Sequence, residues 1–302
     1  MTATTIHKPT WWQRNQRRLA PYFFIAPFYI LFVVFFLGPG FFALYLSVHS
    51  WNGIGPLKFV GINNFKELLS DAVFLKALRN TAFYSGTSLF VVTPISLLLA
   101  VALNARLVRF KDALRTIYFT PIVTSSVAIS IVFLVLYNQR SGLLNTLLGY
   151  VGVDSINWLG SKQWSKFAVL GLVTWRWAGF NAIYFLAGLQ TIPQALYEAA
   201  MVDGANRWQM FWEITIPMLR PVLLFVAVIV LIGSAQIFEE PYMLTSGGPV
   251  DSSLSIANYL YRVGLSQYLR FGYASAIGFV MFAIIFFFSW LQMRSFGIFQ
   301  ED

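Results

Sequence analysis

The sequence predicts an all-α membrane protein, a bundle of six transmembrane helices. Hydrophobic residues make up 58% of the 302 residues and charged residues only 11%, whereas about 25% of an average soluble protein is charged. Several long stretches contain no Asp, Glu, Lys or Arg, and about 20 apolar residues in a helix span the hydrocarbon core of a bilayer. A soluble globular enzyme is excluded, because too few polar side chains are available to cover its surface.

The predicted spans are the stretches between successive charged residues. They lie near residues 22–48, 81–105, 116–137, 167–190, 217–238 and 272–292. Arg176 lies in the middle of the fourth, whereas Arg220 lies near the start of the fifth. Prolines such as Pro121 are tolerated where neighbouring helices satisfy the freed backbone groups. In the sixth, Gly272, Ala274, Ala276 and Gly278 indicate close packing against another element. The spans define a transmembrane domain over residues 21–293, with tails at 1–20 and 294–302.

Basic residues predict the orientation of the bundle, because cytoplasmic loops carry an excess of Lys and Arg. The N-terminal tail and the loop after the second span are both basic; they hold Lys8, Arg14, Arg17, Arg18, Arg106, Arg109, Lys111 and Arg115. We therefore expect both termini to be cytoplasmic and the loops 49–79, 138–166 and 239–271 to lie outside. The net charge of +9 thus reflects topology, and we expect no nucleic-acid partner.

Residue content also excludes common kinds of active site. The chain has no cysteine and only two histidines, so we expect neither a thiol nucleophile nor a metal centre. It contains no Gly-Lys dipeptide, which excludes a Walker-type phosphate-binding loop. We predict no catalytic residues.

The segment 191–217, predicted to be cytoplasmic, differs in composition from the spans around it. We expect two short helices, the first capped by Thr191 with Gln194 and ended by Asp203-Gly204, since glycine tolerates the left-handed conformation. The second helix places Trp208, Phe211 and Trp212 on one face, and Pro217 opens the next span. These features fit a segment that binds a cytosolic partner, and they also fit helices that rest on lipid headgroups.

Motifs in this segment resemble a known family. Glu198-Ala199-Ala200, Gly204 and Ile214-Thr215-Ile216-Pro217 resemble the EAA loop of ABC importer permeases, with Ile216 where leucine is usual. The segments 189–193, 203–205, 244–249 and 271–276 resemble the carbohydrate-uptake branch, of the maltose and glycerol-phosphate type, and more closely its first permease subunit. The resemblance covers roughly residues 20–295.

The resemblance implies a type I ABC importer permease in the cell membrane of a bacterium or archaeon. It assigns coupling to an ATPase to Glu198, Ala199, Ala200, Asp203, Gly204, Ile214 and Pro217. The implied partners are a second permease, an ATPase dimer that binds ATP and Mg²⁺, an extracytoplasmic solute-binding protein, the sugar and membrane lipid. No cofactor is expected in this chain.

The resemblance also implies a substrate path through the fourth and fifth spans. Its residues are Val173, Arg176, Trp177, Phe180, Val230, Ser234 and Ile237. The first four follow helical spacing on one face, and an ionisable residue at membrane depth must face a polar interior. Alternatively, the tryptophans pack against neighbouring helices, and Arg176 either pairs with a carboxylate of the partner permease or snorkels to the membrane surface.

The residues Glu239, Glu240, Gly247 and Gly248 follow the fifth span. The resemblance makes their segment part of an outer gate and of the contact with the binding protein. Taken individually, the two glutamates are expected to be a solvated charge pair.

Three alternatives to import of a neutral sugar remain at this point. An importer of a phosphorylated or acidic carbohydrate would use Arg176 as a partner for the anion. An ion-coupled secondary transporter would need acidic residues inside the spans or an inverted repeat, and a membrane-embedded enzyme would need a catalytic constellation at depth. The sequence contains no Asp or Glu well inside a predicted span.

Overall fold

The computed structural model describes residues 11–105 and 110–295. The predictions for Lys8, Arg106, Arg109 and most of the 294–302 tail therefore lie outside the described residues.

The first span, Asn15–Ser47, lies in a continuous helical stretch. It comprises α1 (Trp11–Phe32), a π-helical turn (Val33–Leu37) and α2 (Gly38–Ser47). Bulky apolar side chains such as Phe24 and Phe35 are exposed along it, as expected for a lipid-facing surface. After it, β1 (His49–Ser50) and β2 (Lys58–Phe59) pair antiparallel, and α3 (Asn63–Ser70) follows.

The second span begins earlier than the sequence predicted, at Ala72 instead of residue 81. It comprises α4 (Ala72–Thr87), a π-helical turn (Ser88–Val92) and α5 (Thr93–Asn104). Asp71 caps its start, because the carboxylate accepts the backbone N–H groups of Val73 and Phe74 at 2.8 and 3.2 Å. The charged residues Lys76 and Arg79, which precede the predicted start of the span, thus lie on its first turns.

The third predicted span, 116–137, is not one straight helix. It consists of α6 (Lys111–Val123) and α7 (Ser126–Leu136), which meet at an angle of 100°. Thr124 and Ser125 adopt ψ angles of 145° and 128°, so the backbone between the two helices is extended. The short α8 (Leu143–Tyr150) follows.

The fourth span is α9 (Ser165–Thr191), which has 27 residues and packs against α5, α6, α13 (Arg220–Ala235) and α14 (Glu239–Thr245). In the described chain three helices are long and apolar enough to cross a membrane, and two bent helix pairs raise the number to five. Those five correspond to the other predicted spans. α9 is long enough but less apolar, since it contains Arg176 and Asn181.

The chain after α9 forms the 191–217 segment, the fifth span and the sixth span. The segment contains α10 (Gln194–Val202), α11 (Arg207–Met210), a π-helical turn (Phe211–Thr215) and α12 (Ile216–Met218). After α13 and α14 come α15 (Ile256–Tyr261), a π-helical turn (Arg262–Ser266) and α16 (Phe271–Ser295). The break before α13 bends the chain by 69°.

The loops predicted to lie outside contact one another. The Phe271 N–H donates to the Trp51 carbonyl at 2.9 Å, and Ser165 Oγ lies 2.8 Å from Ser252 Oγ. Arg270 donates to both carboxylate oxygens of Glu67, at 2.7 and 2.6 Å. These contacts join the three loops at one end of the bundle.

Candidate functional site

A cavity of about 600 Å³ lies between α9 and α13. Ser88 and Val92 of the second span line it, together with one face of α9 and several residues between Ile229 and Glu240. Its wall is mostly apolar with a few polar side chains, which is the usual composition of a small-molecule site.

Most side chains of the predicted substrate path line this cavity. They are Val173, Arg176, Trp177, Val230, Ser234 and Ile237. Phe180 is not among the lining residues, and its ring instead stacks on Phe119 with centroids 6.3 Å apart. Asn181, one residue further along α9, lines the cavity and is buried. A role of these residues in substrate passage stays a prediction.

Arg176 forms ion pairs with two carboxylates of the same chain. Its Nη1 lies 3.1 Å from Glu239 Oε2 and 3.1 Å from Glu240 Oε1. The Trp177 indole Nε1 also donates to Glu240 Oε1, at 3.3 Å. The exposed fractions of the two carboxylate side chains differ widely, 52% for Glu239 and 6% for Glu240.

The expectation that both glutamates are a solvated pair is therefore wrong for Glu240. The chain turns from α13 directly into α14, and this turn places Glu240 against α9. Arg176 thus has carboxylate partners within its own chain. A lone arginine within a span needs a carboxylate nearby, and Glu239 and Glu240 end the next charge-free stretch, so the sequence did contain a signal.

The electrostatics of the cluster favour the ionised form of Glu239. Hydrogen bonds from Ser126 and Arg176 lower the pKa of Glu239, although burial acts in the opposite direction. The carboxylate of Glu239 is therefore charged at neutral pH.

Two polar atoms of the lining residues have no hydrogen-bond partner within the described chain. They are Ser88 Oγ and Arg176 Nε, and both are buried. A buried polar atom without a partner is costly unless a water or a ligand pairs with it. Both residues line the cavity, but the two atoms themselves are closed off from it.

Hydrogen bonds connect the segment after α14 to α4. The Asn80 amide donates to the carbonyls of Asp251 and Leu254 at 2.9 and 3.0 Å, and Tyr84 donates to the Ser253 carbonyl at 3.0 Å. Gly247 has φ +83°, and a Cβ there would lie 2.7 Å from Leu254 Cδ1. Gly248 follows in the same turn, so the predicted outer-gate segment is a tightly packed loop.

The helix α10 in the 191–217 segment presents Glu198, Ala199 and, just beyond it, Asp203 on an exposed surface, with Ala200 half-buried. The predicted capping box is wrong, because Thr191 ends α9 and its hydroxyl donates to the Gly188 carbonyl. Gln194 instead donates to Glu198 Oε1 at 2.6 Å.

Gly204, two residues after the end of α10, has a left-handed backbone conformation. Its φ is +81°, and no atom lies within 4 Å of a Cβ built there. Backbone conformation and not crowding therefore accounts for the glycine, as the sequence predicted.

The next helix begins with a capping box that sequence reasoning missed. The Asn206 side chain accepts the N–H groups of Trp208 and Gln209, and Gln209 Oε1 accepts the Asn206 N–H at 2.8 Å. The signal was present as an Asn with Gln three residues later.

The 191–217 segment is packed onto the spans. The Tyr197 hydroxyl lies 2.9 Å from Thr215 Oγ1. Tyr197, Phe211, Ile214 and Ile216 pack against a buried cluster that contains Leu97, Leu189 and Leu219. Pro217 in α12 is half-buried. A displacement of α10 therefore moves the ends of α9 and α13.

Apolar side chains remain exposed on the outer face of the segment. Val202 is 88% exposed and Trp208 69%, and Leu196, Met201 and Trp212 are also exposed. Clustered exposed apolar side chains mark a surface that a protein partner or a membrane covers. Sequence reasoning found the tryptophans but missed Leu196, Met201 and Val202.

Comparison with known proteins gives a consistent result along the chain. Residues 92–294 match the family described as "Binding-protein-dependent transport system inner membrane component". The chain is 38% identical to the arabinooligosaccharides transport system permease protein of Bacillus subtilis, over 95% of this chain and 91% of that protein. It is also 38% identical to the lactose transport system permease protein of Rhizobium radiobacter, over 89% of this chain and 91% of that protein.

Solved structures show the same architecture. The chain superposes with a TM-score of 0.81 and 28% identity on a chain in the crystal structure of a bacterial alginate ABC transporter in complex with an alginate pentasaccharide-bound periplasmic protein. The superposition covers 94% of this chain and 96% of that chain.

Proposed function

Because the chain belongs to the family of inner-membrane components of binding-protein-dependent transport systems, we propose that it is a permease subunit of an ATP-driven importer of sugars or oligosaccharides. It is a multi-pass membrane protein, and its relatives are permease proteins. Neither an ion-coupled secondary transporter nor a membrane-embedded enzyme is favoured by these relatives.

One structural observation carries the proposal. The two helices that wall the cavity, α9 and α13, are the same two helices that the 191–217 segment connects. A force on this segment therefore acts on the walls of the cavity. Such an arrangement suits gating by rigid-body movement of helices around a fixed site.

The exposed face of α10 is the surface that would meet the ATPase. Glu198 is exposed there beside Ala199, and Val202 follows at the end of the helix. The ATPase dimer binds ATP and Mg²⁺ in this proposal, and the chain itself holds no cofactor. We place this surface and both chain termini in the cytoplasm.

The remaining partners follow from the family. The path is completed by a second permease, and an extracytoplasmic solute-binding protein delivers the sugar to the loops that include Gly247 and Gly248. The names of the arabinooligosaccharide and lactose relatives favour a neutral sugar. A second candidate, an acidic oligosaccharide, is favoured by the likeness to the alginate transporter.

The test is transport by the complex that this chain forms in its own cell. The chain is affinity-tagged, purified from native membranes in mild detergent with its associated subunits, and reconstituted into liposomes. We expect an ATPase to co-purify and labelled arabinotriose, lactose or maltotriose to accumulate when ATP and the solute-binding protein are supplied, but not with ADP. Accumulation of none of these sugars, or accumulation driven by an ion gradient without ATP, would contradict the proposal.

A further inference from the structure

The cavity between α9 and α13 carries a negative net charge. Of the lining residues in the described chain, Arg176 is the one cation, and Glu239 and Glu240 are the two carboxylates. One positive and two negative groups leave a net charge of −1.

The positive charge of Arg176 is already engaged. A single guanidinium nitrogen, Nη1, lies 3.1 Å from both carboxylates, and the side chain of Arg176 is only 12% exposed. Bidentate pairing with an anion needs two free N–H groups on one edge of the guanidinium. In Arg176 the Nη1–Nη2 edge is occupied by the glutamates, and the Nε–Nη2 edge is closed because Nε is buried.

The unpartnered polar atoms of the lining residues lie behind the cavity surface and offer no pairing to an anion. Arg176 Nε is buried and has no partner in the described chain, and Ser88 Oγ is in the same situation. Both atoms belong to residues that line the cavity. A neutral sugar can enter the cavity without bringing a charge next to the glutamates.

We propose that Glu240, assisted by Glu239, is a specificity-determining residue that excludes anionic carbohydrates from the cavity and leaves it suited to neutral ones. The inference rests on the proposed function, since it takes the cavity as part of the sugar path. Glu240 contributes more to the repulsion of anions than Glu239, because Glu240 is buried and buried charges are screened least. The exposed carboxylate of Glu239 contributes less.

The experiment measures binding of trigalacturonate, a trisaccharide with three carboxylates, to the purified transporter complex without its solute-binding protein. Omitting that protein removes its own preference from the measurement. Glu240→Gln keeps the side-chain shape and an oxygen that accepts from Arg176 and Trp177, and it removes one negative charge. Removal of a buried unit charge at the edge of a cavity is expected to raise the affinity for trigalacturonate about tenfold.

Two further variants separate charge from structure. Glu239→Gln removes an exposed charge and is expected to raise the affinity about twofold. The double variant Arg176→Gln, Glu240→Gln restores the net charge of −1 without restoring the ion pair, and we expect it to bind trigalacturonate as weakly as the unmodified protein. If the glutamates only held α14 against α9, the double variant would differ from the unmodified protein as much as Glu240→Gln does.

The outcomes are distinguishable from failure of the proposed function. Unchanged trigalacturonate binding in Glu240→Gln, or equally tight binding in the double variant, overturns the specificity role while uptake of neutral sugars by the unmodified complex persists. If Glu240→Gln does not assemble, Glu239→Gln carries the test, and the absence of any gain there overturns the proposal. If the unmodified complex accumulates no neutral sugar, the proposed function itself has failed.

Discussion

Arg176 in α9 and Glu240 in α14 form an ion pair of 3.1 Å that joins the fourth span to the turn after the fifth span. Because the 191–217 segment connects the same two spans at their other ends, α9 and α13 are linked both by covalent chain and by this pair. The pair also forms part of the cavity wall. It therefore contributes both to the packing of the bundle and to the charge of the proposed path.

Removal of the arginine alone is predicted to destabilise the protein. Arg176→Gln leaves the carboxylate of Glu240, which is 5% exposed, without its cationic partner, and an uncompensated buried charge costs about 3 kcal/mol. We expect a lower midpoint of thermal unfolding for the detergent-purified chain, followed by the intrinsic fluorescence of its tryptophans.

The double variant Arg176→Gln, Glu240→Gln serves as the control, because it leaves no unpaired buried charge. Its unfolding midpoint should recover most of the loss. A double variant as unstable as Arg176→Gln would show that the pair itself, and not the orphaned carboxylate, determines stability.

A second prediction concerns the coupling surface. Glu198→Lys reverses a charge on the exposed face of α10 and removes the acceptor of the Gln194 hydrogen bond. We expect several-fold less ATPase to co-purify with this variant from native membranes, while the amount of the chain itself is unchanged.

Glu213→Lys is the matched control for that experiment. Glu213 is also an exposed carboxylate of the 191–217 segment but lies outside α10, in the π-helical turn. Equal loss of ATPase in both variants would indicate general electrostatic repulsion, and no loss in Glu198→Lys would refute the role of α10.

Local sequence patterns predicted the spans and the α9 residues that line the cavity. Gaps between charged residues located the helices, because a charge at membrane depth is expensive wherever it occurs in the fold. Helical spacing placed Val173, Arg176 and Trp177 on one face, and the cavity lies against that face. The left-handed Gly204 followed from local backbone sterics alone.

What the sequence did not reveal depends on contacts between distant residues. The 100° bend between α6 and α7 lies within one charge-free stretch, so hydropathy cannot distinguish it from a straight span. The burial of Glu240 depends on where α14 packs, 64 positions after its partner Arg176. The early start of α4 brings charged residues into the helix, and these need hydrogen-bond acceptors. The Lys76 ammonium donates to the carbonyl of Val250, which is distant in sequence.

A third prediction tests the close packing of the sixth span. A Cβ at Gly272 would lie 1.8 Å from the backbone carbonyl oxygen of His49, so Gly272→Ala must displace backbone at a cost of about 3 kcal/mol. Gly278→Ala, in the same helix, would meet only Leu260 Cδ1 at 3.5 Å. We expect a clearly lower unfolding midpoint for the first variant and little change or a slight gain for the second. Similar midpoints for both variants would contradict the packing of α16 against residue 49.

The last prediction tests the orientation of the chain in the membrane. Because the sequence contains no cysteine, an introduced cysteine is the only thiol that a maleimide can label. Ile54 lies in a loop predicted to be outside and is 84% exposed, whereas Val202 follows the predicted cytoplasmic helix face and is 88% exposed. In intact cells a membrane-impermeant maleimide should label Ile54→Cys and spare Val202→Cys, and after permeabilisation it should label both. Val226→Cys, fully buried in α13, should react only after denaturation and so reports that the bundle is folded. Labelling of Val202→Cys in intact cells would invert the topology, and the surface assigned to the ATPase would then face the wrong side of the membrane.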